Sequence, residues 1–380
     1  MRLLRLQLVR RRGSGGPPPR PRRPRRPAPP PPPPPPPPAV AAELARRWPP
    51  GLAPSSVFVG GGTPSLLSVE RLERLFACLG EHVDLDACAE VSMEANPESF
   101  TVEKARAARA GGVRRLSIGA QSFHAHHLQA LDRAHDADAV PRAVAAAREA
   151  GFDNVSVDLM FGIPGETFEE WQHDLEDVLQ LEPDHLSCYN LTFEPGTRFE
   201  RDRRQGRVAP NPQELDRAMF EHTRERLAAA GFAPYEVSNF AGRGGPCRHN
   251  DHYWLQGDYV GVGPGACSHR AGVRETNLKA LDAWASAALS KTTCAGSAET
   301  LRPAQRAAEA LWLGVRRTEG VDLADVERRL RLPVRQTFAA VVARHVEAGL
   351  VAREGDRIRL VGEGLLLADQ VGGDYLAVAV

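Results

Sequence analysis

Three glycines and a threonine follow a short apolar run and form the first candidate binding site in this sequence. The stretch from Ser56 to Pro64 reads Ser-Val-Phe-Val-Gly-Gly-Gly-Thr-Pro. Its valines favour a buried strand, and the glycines after it leave backbone N–H groups accessible because they carry no Cβ. Thr63-Pro64 ends the strand, since proline has no N–H, and Ser68 is a typical helix N-cap. A strand, a glycine turn and a helix in this order can present amides to an anionic or amino-acid-like group.

Polar residues also stand at the ends of further apolar runs, where a ligand pocket can form. The sequence predicts strands at 56–60, 89–94, 114–119, 154–160 and 185–192. Helical stretches alternate with them, which predicts parallel strands whose carboxyl ends meet at one edge. Glu94, Gln121 and Asp158 fall at or close to three of these ends. One carboxylate in such a place is often a helix cap, but three polar side chains at three strand ends indicate one converging pocket.

A second group of reactive side chains lies between Cys247 and Trp254, where the sequence reads Cys-Arg-His-Asn-Asp-His-Tyr-Trp. A thiol and imidazoles beside Tyr and Trp rings can ligate a metal or a heme iron and stack on a flat macrocycle. The alternative is a packed loop, with Trp254 in the core and His249 as a hydrogen-bonded support. The residue types alone leave both interpretations open.

Histidines form a third group, at positions 124, 126, 127 and 135. We reject a zinc site here and predict no metal-ion site in the chain. The segment contains no cysteine, its spacing fits no zinc pattern, and such clusters usually lie in water.

Helix signals separate the predicted strands. Ser68 opens a helix that ends at Gly80, and Thr167 with Glu170 forms a capping box for another. The sequence also predicts a strand at 235–240. Residues 301–380 show three helical stretches, at 304–315, 323–330 and 335–347, followed by a short hairpin, an order that predicts a winged helix.

Charge and composition divide the 380 residues into a tail and a folded part. Residues 1–42 hold ten arginines and no acidic residue, and positions 29–38 are ten consecutive prolines. We expect a disordered Arg/Pro-rich tail at 1–38, because such a run forms a solvated polyproline II chain. An acid-free, Arg-rich start resembles a mitochondrial transit peptide; a solvated tail in a cytoplasmic protein and an erroneous start are the alternatives.

The rest of the chain carries 38 basic and 48 acidic groups, which argues against a nucleic-acid surface. The six cysteines are scattered, which indicates reduced thiols. No apolar run approaches the ~20 residues of a membrane span.

From Ala41 to the C-terminus these motifs resemble the radical SAM superfamily, within it the branch of the HemW heme chaperones and the oxygen-independent coproporphyrinogen III oxidases. The resemblance implies a partial parallel (β/α) barrel and a small C-terminal winged-helix-like domain that serves as a lid. It implies that S-adenosylmethionine is contacted by Gly61, Gly62, Thr63, Glu94, Gln121, Arg133, Asp158 and, through its backbone, Thr192. The pattern His249-Asn250-x-x-Tyr253-Trp254 resembles HemW more than the oxidases, and implies heme at His249.

The resemblance is incomplete at one essential place. Radical SAM chemistry uses a 4Fe-4S cluster held by a Cys-x-x-x-Cys-x-x-Cys motif, and no such spacing occurs in this sequence. The Pro/Arg tract stands where that motif and the first barrel strand belong, so we expect a barrel without its first strand. Either a real first segment has been replaced, which we favour, or the chain is a cluster-free relative. We expect S-adenosylmethionine to bind weakly at best.

Four regions follow: a tail at 1–38, a partial barrel at 39–245, a connector with the His-Asn-x-x-Tyr-Trp motif at 246–300, and the C-terminal domain at 301–380. We expect a heme chaperone whose partners are heme and heme-requiring client proteins. A coproporphyrinogen oxidase-like enzyme is the alternative, and a DNA-binding winged helix is a third possibility. The strand at 56–60 would be left as an unpaired edge, which predicts aggregation or a homodimer.

Overall fold

The computed structural model describes residues 37–48, 54–134 and 136–379. The predicted tail lies almost entirely outside the described residues. A seven-stranded sheet dominates the first part. Its strands are β1 (Ser56–Val59), β2 (Glu90–Ala95), β3 (Arg115–Gln121), β4 (Val155–Phe161), β5 (His185–Asn190), β6 (Ala233–Pro234) and β7 (Asn239–Ala241). Their order is β1-β2-β3-β4-β5-β7-β6, parallel from β1 to β5 and antiparallel beyond. Among the described residues β1 is therefore an edge strand, as predicted.

Helices alternate with these strands. They are α1 (Pro37–Arg47), α2 (Val69–His82), α3 (Val102–Ala110), α4 (Ala125–Ala130), α5 (Ala139–Glu149), α6 (Phe168–Gln180), α7 (Arg198–Arg204) and α8 (Gln213–Ala229). The predicted N-cap at Ser68 and the capping box of Thr167 with Glu170 are confirmed. The predicted end of α2 at Gly80 is wrong by two residues, because the helix continues to His82.

The two faces of the parallel strands differ in polarity. Alternate side chains such as Met93, Ile118 and Val157 are fully buried in the main apolar core. The residues between them are polar and share the opposite face, where Ser117 and Ser156 both lie within hydrogen-bond distance of Asp158. Successive side chains of a strand point to opposite faces, so this barrel has an apolar outer layer and a polar interior.

A second, three-stranded sheet follows the barrel. This part contains α9 (Arg248–Trp254), β8 (Cys267–Arg270), β9 (Val273–Asn277), α10 (Leu281–Leu289) and β10 (Ala295–Thr300). Helix α1 packs on α10 through a small apolar cluster that includes Val40, Leu44 and Trp284. Glu43 of α1 is fully buried and accepts hydrogen bonds from Gly263 N and Trp284 Nε1. This contact fastens the start of the described chain to the second sheet.

The C-terminal part has its own apolar core, centred on side chains such as Leu311, Phe338 and Tyr375. Its elements are α11 (Pro303–Gly314), β11 (Val321–Asp322), α12 (Leu323–Leu330), α13 (Val334–Thr337), α14 (Ala339–Glu347), β12 (Val351–Glu354), β13 (Arg357–Leu360), α15 (Glu363–Leu366) and α16 (Ala368–Val378). Helices followed by a β12–β13 hairpin match the winged-helix order, and β11 adds a third strand.

Two predicted elements of the later chain differ from the structure. The strand expected at 235–240 is wrong, since only Asn239–Ala241 pairs with β5 and Tyr235 instead points its hydroxyl at His185. The helix expected at 335–347 is interrupted at Phe338, between Val334–Thr337 and Ala339–Glu347. No helix in the described ranges combines the length and the apolar character that crossing a lipid bilayer requires.

Candidate functional site

The glycine turn after β1 is closed by a carboxylate from β2. The backbone N–H of Gly61 donates to Glu94 Oε2 at 3.0 Å, and Gly61 has a φ of +80°. A Cβ on Gly60 would lie 2.5 Å from the Phe58 ring and 2.7 Å from the Glu94 carboxyl group. A side chain at Gly60 would therefore force the Phe58 ring and the Glu94 carboxyl group to shift. A Cβ at Gly61 or Gly62 would meet no atom within 4 Å, so this part of the turn borders open space.

Glu94 is poised to change its charge near neutral pH. Burial is the main cause that raises the pKa of Glu94 to about 7; the Gly61 N–H lowers it and the Asp158 charge raises it. A carboxyl group with such a pKa can take or lose a proton as a ligand arrives.

Asp158 of β4 lies deeper in the polar interior. Its carboxylate accepts from Ser117 Oγ at 2.9 and 3.1 Å. Burial raises its pKa, while the Ser187 and Ser117 hydroxyls and the positive charge of Arg115 oppose that rise. A buried carboxylate with several hydroxyl donors can accept hydrogen bonds from the hydroxyls of a ligand.

Of the other residues predicted to contact S-adenosylmethionine, some lie in this interior and others lie at its margin. Gln121 ends β3 in a left-handed conformation (φ +69°), and its side chain folds back over Gly119, the register partner of Asp158. Arg133 is half-buried and close enough to Asp158 for their charges to interact. Thr63 ends the glycine turn without capping the short helical turn that follows.

Thr192 stands apart from this convergence. It is exposed, and its carbonyl oxygen already accepts from the N–H of Glu194 at 3.1 Å. The structure thus brings Gly61, Glu94, Gln121 and Asp158 to one interior, with Arg133 near its side, and gives no such contact for Thr192.

The segment from Cys247 to Trp254 forms the short helix α9, with Cys247 as N-cap. Glu90, a buried carboxylate at the start of β2, accepts from Arg248 N at 2.9 Å and His249 N at 3.2 Å. The thiol of Cys247 also donates to it, at 3.4 Å. A negative charge at a helix N-terminus satisfies free N–H groups and interacts favourably with the helix dipole. Glu90 therefore fixes the orientation of α9.

His249 is held between side chains of β1 and of its own helix. Its Nδ1 lies 3.1 Å from Ser56 Oγ, and its ring stacks on Phe58 with centroids 4.8 Å apart and an angle of 15°. Tyr253 packs edge-on at 5.0 Å. Burial lowers the pKa of His249 to about 4, against an opposing effect of Glu90, and His252 lowers it further. The imidazole is therefore neutral at physiological pH, the form that can ligate a metal.

Phe58 links the two candidate sites. Its ring contacts His249 on one side and approaches Gly60 and the glycine turn on the other. Sequence reasoning missed Ser56, Phe58 and Glu90. The signal that could have found them is the two-residue period of a strand: Ser56 and Phe58 share one face of β1, and Glu90 lies on the polar face of β2 as the register partner of Ser56.

The thiols of this chain do not fit a 4Fe-4S cluster. All six cysteines are free, and all except Cys267 are buried. In the described ranges the one set of three His, Cys, Asp or Glu ligand atoms close enough for a metal contains no cysteine. A radical SAM cluster needs three thiolates together, and the described residues bring no three thiols together.

Comparisons with known proteins agree with this architecture. The chain matches the models of the Radical SAM superfamily over residues 20–178 and of the HemN C-terminal domain over residues 301–367. The heme chaperone HemW of Mycobacterium tuberculosis (strain H37Rv) is 40% identical over 319 residues, which cover 83% of this chain and 79% of that protein. The chain belongs to the HemW family of radical SAM proteins.

Two further similarities place this HemW family member among its relatives. Radical S-adenosyl methionine domain-containing protein 1, mitochondrial, of Mus musculus is 45% identical over 212 residues, 56% of this chain and 48% of that protein. The coproporphyrinogen III oxidase HemN of Escherichia coli, a radical SAM enzyme, superimposes with a TM-score of 0.75 at 23% identity, covering 89% of this chain and 81% of that one. At that identity the likeness shows the fold: a radical SAM barrel followed by a HemN-type C-terminal domain.

Proposed function

We propose that this chain binds heme and transfers it to heme-requiring client proteins. Its HemW relatives carry the name heme chaperone, which supports the proposal. One observation carries the proposal. His249 is a neutral imidazole whose Nδ1 is occupied by Ser56, and it lies between the aromatic rings of Phe58 and Tyr253. Such a residue can offer its other ring nitrogen to heme iron, and the neighbouring rings can pack against the porphyrin.

The first test is a heme titration of the purified full chain, followed by absorbance. We expect a Soret shift that saturates near one heme per chain. Transfer is tested next. The heme-bound chain is mixed with an apo-protein of higher heme affinity, and the loss of the Soret band of the heme-bound chain is followed. A chain whose spectrum equals that of free heme at every ratio would refute the proposal.

We also propose that the barrel interior retains a weak S-adenosylmethionine site. The proposed contacts are Gly61, Gly62, Thr63, Glu94, Gln121, Arg133 and Asp158. Thr192 is proposed to contact the ligand only through its backbone. In the superfamily an iron of the cluster chelates the amino and carboxylate groups of this ligand and starts its reductive cleavage. This chain supplies no three thiolates for that iron, so only hydrogen bonds and packing remain.

Isothermal titration checks this second proposal. Metal-free protein titrated with S-adenosylmethionine should show a Kd weaker than about 100 μM, since a ligand deprived of its metal chelation loses much of its binding free energy. Micromolar affinity or better would contradict the expectation. The same arrangement of thiols gives no support to the coproporphyrinogen oxidase alternative, which needs the cluster.

The proposals for the partners and the compartment rest on the relatives and on the composition, not on the geometry of a site. We infer that the protein acts in mitochondria, because the mouse relative carries that location in its name. Its partners are then heme and the client proteins of that compartment. A nucleic-acid role is not proposed, since the folded part carries more acidic than basic groups.

A further inference from the structure

Two consecutive histidines of α4 face a glutamate of α6. His126 Nε2 lies 3.0 Å from Glu170 Oε1, and His127 Nε2 lies 3.4 Å from Glu170 Oε2. The three ligand atoms lie within 4.8 Å of one another. The prediction of no metal-ion site weighed only the histidines at 124–135, of which His135 lies outside the described residues. It did not include Glu170, which the fold brings in from the next strand–helix unit.

His127 supplies an independent observation. Its side chain is 2% exposed, and its Nε2 atom is buried and makes no hydrogen bond within the described part of the chain, although Glu170 Oε2 is near. A buried ring nitrogen normally has a partner, because leaving it unpaired is energetically unfavourable. Its nearest charged neighbour is Glu170 Oε2, at 3.4 Å, and an ion held between the two groups would give the nitrogen a partner.

The groups around His126 and His127 also make other contacts. His124 Nε2 faces the carbonyl oxygen of Glu170 at 3.0 Å, so it is not counted as a ligand. Glu170 Oε2 accepts from the N–H and hydroxyl of Thr167 in the capping box. Glu170 Oε1 has His126 as its neighbour, at 3.0 Å. A carboxylate has about four lone-pair sites, so the cap does not use up its capacity.

We propose that His126, His127 and Glu170 form a binding site for a divalent transition-metal ion, with Zn²⁺ as the best fit and a fourth position open to water. Two imidazoles and one carboxylate are a ligand set found in open zinc sites. Tetrahedral coordination places ligand atoms roughly 3.4 Å apart. The exposed ring of His126, whose centroid is 4.0 Å from that of His127, is the side chain free to close this distance.

The site would join the helices that follow β3 and β4. After α4 the chain turns back, and the N–H of Arg133 donates to the carbonyl oxygen of Leu128 within α4. A metal ion between α4 and α6 would thus stabilise the segment that presents Arg133 to the barrel interior. The proposal does not rest on heme binding and can succeed or fail independently of it.

The test uses the full chain without a purification tag, stripped with EDTA. Zn²⁺ is titrated by calorimetry, and Co²⁺ in parallel by its visible absorption, which reports tetrahedral nitrogen and oxygen coordination. We expect one Zn²⁺ per chain with a Kd below about 10 μM. His126→Ala and Glu170→Gln should each weaken binding at least tenfold.

We expect both variants to fold like the parent, because His126 is largely exposed and glutamine can replace glutamate in a capping box. His173→Ala is the matched control: it is an exposed histidine on α6 with its ring 6.4 Å from that of His124, and it is outside the proposed set. It should bind as the parent does. No Zn²⁺ binding below about 100 μM would overturn the proposal. So would unchanged affinity in the two ligand variants, or a loss in His173→Ala as large as theirs.

Discussion

Glu90 holds the helix that carries His249, and the two residues are bonded directly: the carboxylate accepts the N–H of His249 at 3.2 Å and that of Arg248 at 2.9 Å. The proposed heme ligand is thus anchored twice to the barrel. Its backbone is bonded to β2 through Glu90, and its ring is fixed on β1 through Ser56 and Phe58. A ligand held this way is positioned before heme arrives, which lowers the cost of binding.

Removing the Glu90 carboxylate should therefore damage both stability and heme binding. Glu90→Ala leaves the N–H groups of Arg248 and His249 without their acceptor, and we expect a loss of about 2 to 4 kcal/mol in the free energy of unfolding. Urea denaturation of the variant and the parent measures this loss. Glu73→Ala, an exposed residue of α2, is the control and should change stability by less than about 0.5 kcal/mol. An equal effect of the two substitutions would contradict the role given to Glu90.

Glu94 should give the protein a specific pH dependence. Its folded-state pKa of about 7 lies above the ordinary value of 4.5, so the folded state holds a proton that the unfolded state has released. The stability from this protonated form is complete below about pH 4.5 and is lost as the pH rises through 7. Glu94→Gln, which cannot ionise, should lack this loss. Melting temperatures of parent and variant between pH 4.5 and 8.5 should diverge with rising pH in favour of the variant. Curves that stay parallel would show that Glu94 titrates normally.

The edge strand β1 predicts self-association. It pairs only with β2 in the described part of the chain, and within that part the N–H and C=O groups on its other side have no strand partner. We expect size-exclusion chromatography with light scattering to show a concentration-dependent dimer or larger species. A chain that begins with an added apolar strand and a Cys-x-x-x-Cys-x-x-Cys loop should be monomeric and should bind a cluster. A stable monomer of the chain as given, at all concentrations, would mean that the edge is protected.

The convergence of Glu94 and Asp158 could be predicted because both lie near the carboxyl ends of parallel strands, which meet at one edge of any such sheet. The pairing of Glu90 with His249 could not, because it joins the start of a strand to a helix far along the chain. No local pattern specifies that partner. The same reason explains the histidine cluster: the spacing within 124–135 argued against a metal site, and only the packing of α4 on α6 introduces Glu170.

The strand expected at 235–240 is an error of another kind, because there a local pattern exists but does not determine the structure. Its residues have strand propensity, but tertiary contacts override it: the Tyr235 hydroxyl reaches His185 at 2.9 Å, and Glu236 is buried with Ser238 N as a donor. Side-chain partners on other elements determine the backbone there. Propensity is a weak prior where burial is strong.

The central claim, heme ligation by His249, is tested most directly by comparing two histidines of one helix. His249→Ala removes the proposed ligand, whereas His252→Ala removes a histidine whose Nε2 lies 2.8 Å from the carbonyl oxygen of Asp258. Heme titrations followed by the Soret band, with circular dichroism to confirm folding, should show at least tenfold weaker binding and an altered band position for His249→Ala. His252→Ala should match the parent. An unchanged Soret band and affinity in a folded His249→Ala protein would contradict the account.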